Sequence, residues 1–380
     1  MEKDKRFNAH FTPEKGWMND PNGLIYIDGV YHIFYQHYPD DTKWGPMHWG
    51  HAVSTDLTNW RHLPIALFPT EDEYIFSGSA IMDEENVSGL SPDGNRLLLL
   101  FYTMHNPKTG EQQQGLAYAS EPFIEFKKYE GNPIISNTFD TPTYKKDFRD
   151  PKVFKNDVLG GYTMVLAVGD HIEFFHSNDF LVWKYTGLFE PSKYGVSGLC
   201  ECPDLMIFDT DGIKKAVLSM SLIIFNEDGS ESHIMPYFVG DFDGKAFLPT
   251  QEYRDEVLDL GPDNYAMVSF NTDLLAGEKE SAHLMMGWGE NWNDARVNTN
   301  TEYFGKLTCA RKVVLKKEVQ EALPEEERYA IYQTPVIEIK NTDNCWHKLL
   351  PDEDKEVIFD NGYVEEFLNG GRVVRSYNMR

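Results

Sequence analysis

Ser54-Thr55-Asp56-Leu57-Thr58-Asn59-Trp60 returns later in the chain as Ser177-Asn178-Asp179-Phe180-Leu181-Val182-Trp183. Between them, Ser120-Glu121-Pro122-Phe123-Ile124-Glu125-Phe126 keeps the serine and the two apolar positions. A looser copy follows at Asp241-Phe242-Asp243-Gly244-Lys245-Ala246-Phe247. The intervals are 66 residues (54 to 120), 57 (120 to 177) and 62 (179 to 241). A unit of that size, holding about four short strands, has the dimensions of one β-propeller blade. Four such units leave room for a fifth before residue 315. Meander proteins also produce such coincidences, so the repeat needs support from the rest of the chain.

Strand signals surround the repeat. Gly23-Leu24-Ile25-Tyr26-Ile27 and Val30-Tyr31-His32-Ile33-Phe34-Tyr35-Gln36 flank Asp28-Gly29, a two-residue hairpin turn. Further pairs of β-rich runs lie at 96–103 with 115–120, 162–168 with 172–176, and 205–208 with 216–221. No comparable helical periodicity precedes residue 316. From 316 to 327 the chain is charged, with Pro324 inside, and reads as an exposed linker with a short helix. Short strands are expected after it at 336–339, 357–359, 364–368 and 373–377. These make a small sheet and fall short of a full two-sheet sandwich. The expected organisation is therefore all-β, with a five-bladed β-propeller over 1–315 and a linker plus short C-terminal β region over 316–380.

Composition narrows the partners. The 380 residues are 41% hydrophobic, 14% aromatic and 25% charged, the make-up of a globular protein. Against 61 acidic side chains stand 35 basic ones, a formal charge of −26. Such a field repels nucleic acid and anionic membranes but leaves a neutral small substrate admissible. Met1 to Phe7 contains no apolar stretch of a signal peptide, and the longest apolar run, 97–102, is too short to span a bilayer. Four cysteines do not suggest a disulfide scaffold, so reduced thiols and a cytoplasmic location are expected.

Three carboxylates stand in unusual settings: Asp20 in Trp17-Met18-Asn19-Asp20-Pro21-Asn22-Gly23, Asp150 in Phe148-Arg149-Asp150-Pro151, and Glu201 in Cys200-Glu201-Cys202-Pro203-Asp204. Each precedes the first strand of a four-strand unit. If the units are blades, the three acids converge on the central axis. Converging carboxylates suit glycosidic cleavage, in which an ionised one attacks the anomeric carbon and a protonated one serves the leaving oxygen. A sugar also needs flat apolar faces and groups that fork onto hydroxyl pairs. Trp17, Trp44, Trp49 and Phe76 could supply the first, and Asn19, Gln36, Ser77, Arg149 and Asp150 the second. Taken singly, each motif has a plainer reading: a turn at Asn19–Gly23, a surface ion pair at Arg149-Asp150, and structural histidines in His48-Trp49-Gly50-His51. Cys200-Glu201-Cys202 lacks neighbouring histidines at zinc spacing, so no metal site is expected.

In order and approximate spacing, Trp17–Gly23, Gln36, Trp44-Gly45, His48–His51, Phe76-Ser77-Gly78-Ser79, Phe148–Pro151 and Glu201–Asp204 resemble the signature blocks of glycoside hydrolase family 32. Gly261-Pro262-Asp263-Asn264-Tyr265-Ala266, Gly287-Trp288-Gly289-Glu290-Asn291-Trp292 and Gly305 to Arg311 resemble its later blocks. The resemblance covers about 8–315 and implies a five-bladed β-propeller followed by a β-sandwich, here reduced or truncated. It implies Asp20 as nucleophile, Asp150 as transition-state stabiliser and Glu201 as acid/base. Asn19, Gln36, Trp44, Phe76, Ser77, Arg149 and Trp292 would line the fructose subsite, with no cofactor. The implied reaction is a double displacement on sucrose, sucrose 6-phosphate or a short fructan. Retention would set the nucleophile and acid/base carboxyls about 5 Å apart. Fructosyl transfer, or an inulinase or levanase specificity, would use the same residues.

Overall fold

Asp28 and Gly29 both take positive φ (48° and 89°), so the first hairpin closes through the mirror-image turn whose twist matches its strands. Gly16–Ile27 and Val30–Tyr38 pair across it and continue into His48–Ser54 and Arg61–Leu67. The computed structural model describes residues 6–138, 142–210, 212–271, 281–319 and 327–379. Over them the protein is all-β, with five successive antiparallel sheets and a sixth near the C-terminus.

The second sheet is built from Tyr74–Asp83, Leu97–His105, Gln112–Ala119 and Lys127–Lys128, and the third from Phe148–Lys155, Tyr162–Val168, His171–Ser177 and Lys184–Phe189. Leu199–Thr210, Ile213–Phe225, Tyr237–Phe242 and Phe247–Pro249 form the fourth, with Glu231–Ile234 paired to its second strand. The fifth contains Tyr265–Ser269, Ala282–Trp288, Ala310–Val319 and Glu327–Val336. The first strand of each sheet contacts the first strand of the next, and that of the fifth contacts that of the first, so the sheets stand as propeller-like blades in a closed cycle. Tyr303–Phe304 adds a parallel strand to Gly16–Ile27. Asn271 ties the cycle further: its backbone N–H donates to Leu24 O (2.7 Å), and its side-chain amide to Ala80 O (2.8 Å) and Val153 O (2.6 Å).

The repeat seen at Ser54–Trp60 is a turn between the third and last strands of a sheet. Ser54 Oγ accepts from Leu57 N–H (3.0 Å), and Asp56 Oδ1 accepts from Thr58 and Asn59 N–H (2.9 and 2.7 Å). Asp179 Oδ1 repeats this with Leu181 and Val182, and Asp243 Oδ1 with Lys245 and Ala246. Leu57, Phe123 and Phe180 turn with φ near +60° and bury their side chains. The strain of a left-handed apolar residue is offset by burial and by side-chain caps on the turn.

The run 97–102 shows why these strands read as continuously apolar. Leu98, Leu100 and Tyr102 pack with Ile25, Phe34 and Trp49 of the first sheet. Leu97, Leu99 and Phe101 point the other way, onto Phe148, Val153 and Leu166 of the third. Both faces of the sheet are covered, so alternation sends every residue into one wedge or the other. Each such side chain contributes about 1.5–3 kcal/mol by leaving water.

Two expectations about the C-terminal part are corrected. The stretch expected as a linker from Lys316 is, as far as Val319, the end of Ala310–Val319, which pairs with Glu327–Val336; residues 320–326 lie outside the described residues. Val313 and Leu315 are buried while Lys316 and Lys317 are exposed, and that solvent-facing charge makes an outer strand resemble a linker. The strand therefore runs through the boundary expected at 315. Of 336–339 only Val336 is in a strand, and Cys345–Leu350 is an additional one. Cys345–Leu350, Lys355–Asp360, Tyr363–Leu368 and Val373–Asn378 make the sixth sheet.

That sheet is fastened to the body by buried charge. Arg311 Nη2 reaches Glu365 Oε2 at 2.6 Å and its Nη1 reaches Asp259 Oδ2 at 2.9 Å, all three side chains fully buried. His10 bridges Asp360 (3.0 Å) and Glu365 (2.8 Å). Burial opposes ionisation of Glu365, yet Arg311 and His10 overcome it and hold its carboxyl down at about 2.

Candidate active site

The first strand of each of the five sheets carries a register break near the axis. The breaks fall between Met18 and Pro21, Phe76 and Gly78, Glu201 and Asp204, and Tyr265 and Val268, and in the third sheet where Arg149 and Lys152 face Ala167 and Val165. Asp150, Cys202 and Ala266 adopt positive φ there (62°, 43° and 52°). A bulge of this kind re-aims a side chain and leaves one residue without a ladder partner. Pro151 and Pro203 sit in these breaks and Pro21 at the edge of one, where a missing N–H is tolerated. The Asp-Pro and Glu-Cys-Pro segments are bulged inner strands, and the readings as a plain turn and a surface ion pair are set aside. The three acids lie within the strands Gly16–Ile27, Phe148–Lys155 and Leu199–Thr210, a few residues inside the starts expected from sequence.

Asp20, Asp150 and Glu201 open on one cavity of about 290 Å³, lined also by Asn19, Gln36, Trp44, Phe76, Ser77, Arg149 and Trp292. Asp20 accepts hydrogen bonds from Asn19 Nδ2 (2.9 Å) and Ser77 Oγ (2.7 Å), and Cys202 Sγ lies 3.6 Å from it. The same thiol is 3.7 Å from Asp150, whose Oδ2 accepts from the Cys202 N–H at 2.9 Å. Glu201 accepts from Tyr265 Oη at 2.8 Å, and its other oxygen is 3.7 Å from Arg149 Nε. Arg149 is held from behind by Asp147 (2.6 Å), and its buried Nε has no hydrogen-bond partner.

Burial dominates the electrostatics. It raises Asp20, against the pull of Asn19, Ser77 and Cys202. It pushes Asp150 up to about 7, Arg149 opposing and the charges of Glu201 and Asp20 adding to the rise. Glu201 is raised by burial and by Asp20, with Arg149 and the Tyr265 hydroxyl pulling down. Three donors around Asp20 suit a carboxylate, whereas Glu201 has one hydroxyl and a distant cation and is the better proton carrier.

The aromatic expectations divide. Trp44 is 45% exposed at the mouth, edge-on to Phe76, which stacks on His105 (4.2 Å, 4°). Trp292 is half-buried and lines the cavity. Trp17 and Trp49 are corrected: both are buried and neither lines it. Trp17 lies beneath, stacked on Trp292 (5.9 Å) and donating Nε1–H to Asn19 Oδ1 (2.7 Å), while Trp49 donates to Phe76 O (3.1 Å). An aromatic beside a polar motif props that motif as readily as it meets a ligand. Gln36, also expected in the subsite, lines the cavity while donating to Ile75 O (3.0 Å). His48 and His51 are directed apart, His48 to Pro46 O and His51 to His32. Cys200 and Cys202 face different apolar clusters because the bulge falls between Glu201 and Asp204.

Residues 10–326 match the family described as glycosyl hydrolases family 32 N-terminal domain. The chain belongs to glycoside hydrolase family 32. Relatives in this family include the levanase of Bacillus subtilis (strain 168), 41% identical over 356 residues that cover 92% of this chain and 50% of that protein. The invertase of Schizosaccharomyces pombe is 33% identical, over 87% of this chain and 56% of its own. The chain thus spans about half the length of these curated relatives. Among solved structures, the exo-inulinase of Aspergillus awamori superposes with a TM-score of 0.84 at 24% identity, covering all of this chain and 93% of that one, a likeness of fold. The fructofuranosidase of Schwanniomyces occidentalis complexed with fructose gives 0.82 at 26% identity, over 99% and 92% of the two chains.

Sequence reasoning did not single out four residues of this site: Glu231, His233 and Arg296, which line the cavity, and Tyr265, which bonds Glu201 without lining it. Tyr265 stood inside a quoted block, and its position opposite Trp288 next to a bulge is what aims it at Glu201. The other three sit on an outer strand and a short helix, Trp292–Arg296, with no local motif. The Tyr265 contact carries a prediction. Its hydrogen bond favours ionised Glu201, so Tyr265→Phe raises that pKa further. With Glu201 as the acid, which has to be protonated to act, the alkaline limb of kcat/KM should move to higher pH. A limb that stays fixed in a pH–rate titration would show that the hydroxyl does not hold the charged form.

Proposed function

We propose that this protein is a retaining β-fructofuranosidase that releases terminal fructose from sucrose or a short fructan. The observation that supports it best is the single cavity onto which Asp20, Asp150 and Glu201 open from three different sheets, with Arg149 between two of them. In this reading the carboxylate of Asp20 attacks the anomeric carbon of fructose while Glu201 gives its proton to the bridging oxygen. The glycosidic bond breaks, an Asp20–fructosyl ester forms and the leaving sugar departs. Glu201, now ionised, takes a proton from water, whose oxygen cleaves the ester and returns Asp20 as a carboxylate. Asp150, Arg149, Asn19 and Gln36 hold fructose hydroxyls, and Phe76, Trp44 and Trp292 shape the pocket. The levanase relative, by its name, acts on levan, which supports placing a fructan among the substrates. The five contacting sheets are best read as a five-bladed propeller ending with Glu327–Val336, followed by one sheet of a reduced sandwich.

The test is product analysis. The purified chain, given sucrose, kestose, inulin or levan in separate assays, should release free fructose whose first-formed anomer is β. At high sucrose, free fructose equal to free glucose marks hydrolysis, and a deficit with oligosaccharides marks transfer. Release from none of the four, or an inverted first product, would overturn the assignment.

A further inference from the structure

The pocket has a second wall that the chemistry above does not use. On the fourth sheet, moving away from the axis, Glu201 lies on the first strand, Ile223 on the second, and Glu231 and His233 on the strand Glu231–Ile234 paired outside it. All four line the cavity, and Arg296 joins them from the helix Trp292–Arg296. Glu231 and Arg296 form an ion pair across the mouth, with side chains 23% and 55% exposed. His233 packs edge-on against Tyr265 (5.2 Å, 82°), the residue that holds Glu201. Its Nε2 is buried, makes no hydrogen bond and lies 3.9 Å from Glu231. A buried ring nitrogen without a partner, on a residue that lines a cavity, has hydrogen-bonding capacity that a sugar hydroxyl can take up.

Glu201 protonates the leaving oxygen in the proposed reaction, so the leaving group lies on the Glu201 side, against this wall. We propose that Glu231, His233 and Arg296 bind the leaving sugar and select an uncharged one. The inference rests on the fructosidase reading and adds the chemistry of its second half. Hydroxyls suit the wall: Glu231 accepts from two of them, His233 Nε2 bonds a third, and Arg296 donates to their oxygens. A phosphate does not suit it. Among the lining residues the only arginines are Arg149, engaged by Asp147 and close to Glu201, and Arg296, engaged by Glu231. A phosphorylated leaving group would have to displace the Glu231 carboxylate from Arg296 or sit beside it, in a chain of formal charge −26.

The experiment compares sucrose, sucrose phosphorylated on its glucose, and methyl β-fructofuranoside, whose leaving methanol has no hydroxyls to spare yet still needs the acid. Wild-type kcat/KM should favour sucrose over its phosphate at least about tenfold, a difference one charge contact can supply. Glu231→Gln should shrink that preference about tenfold by freeing Arg296. His233→Phe keeps the ring against Tyr265 and removes the nitrogen. It should lower the ratio of sucrose to methyl fructoside activity by about five- to tenfold, with an unmoved pH profile. The proposal falls if the wild type takes the phosphate equally well, if Glu231→Gln leaves the preference intact, or if His233→Phe depresses both substrates equally. If the wild type cleaves none of the three, the fructosidase reading itself is what fails.

Discussion

Asp20→Asn is expected to lower kcat on sucrose by about four to six orders of magnitude, the scale of removing an attacking group that works in concert with its partners. The substitution is isosteric: the amide oxygen in the Oδ1 position still accepts from Asn19 Nδ2, and the NH2 in the Oδ2 position donates to Ser77 Oγ in place of the bond lost there. What disappears is the negative charge and with it the ester. That charge also raises the pKa of both Asp150 and Glu201, so its loss relieves repulsion among buried acids. Thermal stability should therefore be equal to or higher than that of the wild type, the pattern of a site that trades stability for chemistry. Rate assays with a melting curve on the same preparation check both halves. Activity within a hundredfold of wild type would remove Asp20 from the nucleophile's role.

Arg311→Met carries the largest expected effect on stability. The guanidinium is fully buried and serves Glu365, Asp259 and Ser376 at once. Burial disfavours its charge, but Glu365 and Asp259 raise its pKa and keep it cationic. Methionine fills much of the volume and strands two carboxylates, which costs about 3–5 kcal/mol. That is a large share of the net stability of about 5–15 kcal/mol expected of a folded protein. Adding Glu365→Gln should recover part of the loss, because the two changes share one network. Urea unfolding of the two single variants and the double gives the coupling directly. Additive effects would show that the network does not act as a unit.

The acids were legible in the sequence because a carboxylate one or two residues before a proline, three times over and each time near the start of a strand, is an uncommon local pattern. The turn serine and aspartate of the repeat were legible for the same reason: one set of side-chain caps recurs. Reading failed where the signal is radial. Trp17 and Trp44 are both tryptophans near polar motifs, and only the stacking of one sheet on the next decides that Trp17 is buried and Trp44 is at the mouth. Glu231 and His233 carry no motif because their place depends on an outer strand folding back over Ile223, and Arg296 none because it meets Glu231 from a separate short helix. The end of the fifth sheet was misplaced because its outermost pair of strands meets water on one side and so carries lysine and glutamate.

The two-sided burial of the stretch 97–102 has a consequence for how the chain is made. Like a stone in an arch, each sheet is held only when both neighbours stand. A nascent chain of three or four finished sheets presents bare apolar flanks at its two ends, the kind of surface that sticks to other chains. Those flanks stay open until Tyr303–Phe304 and Glu327–Val336 have left the ribosome, so safe folding waits on the outer strands of the fifth sheet.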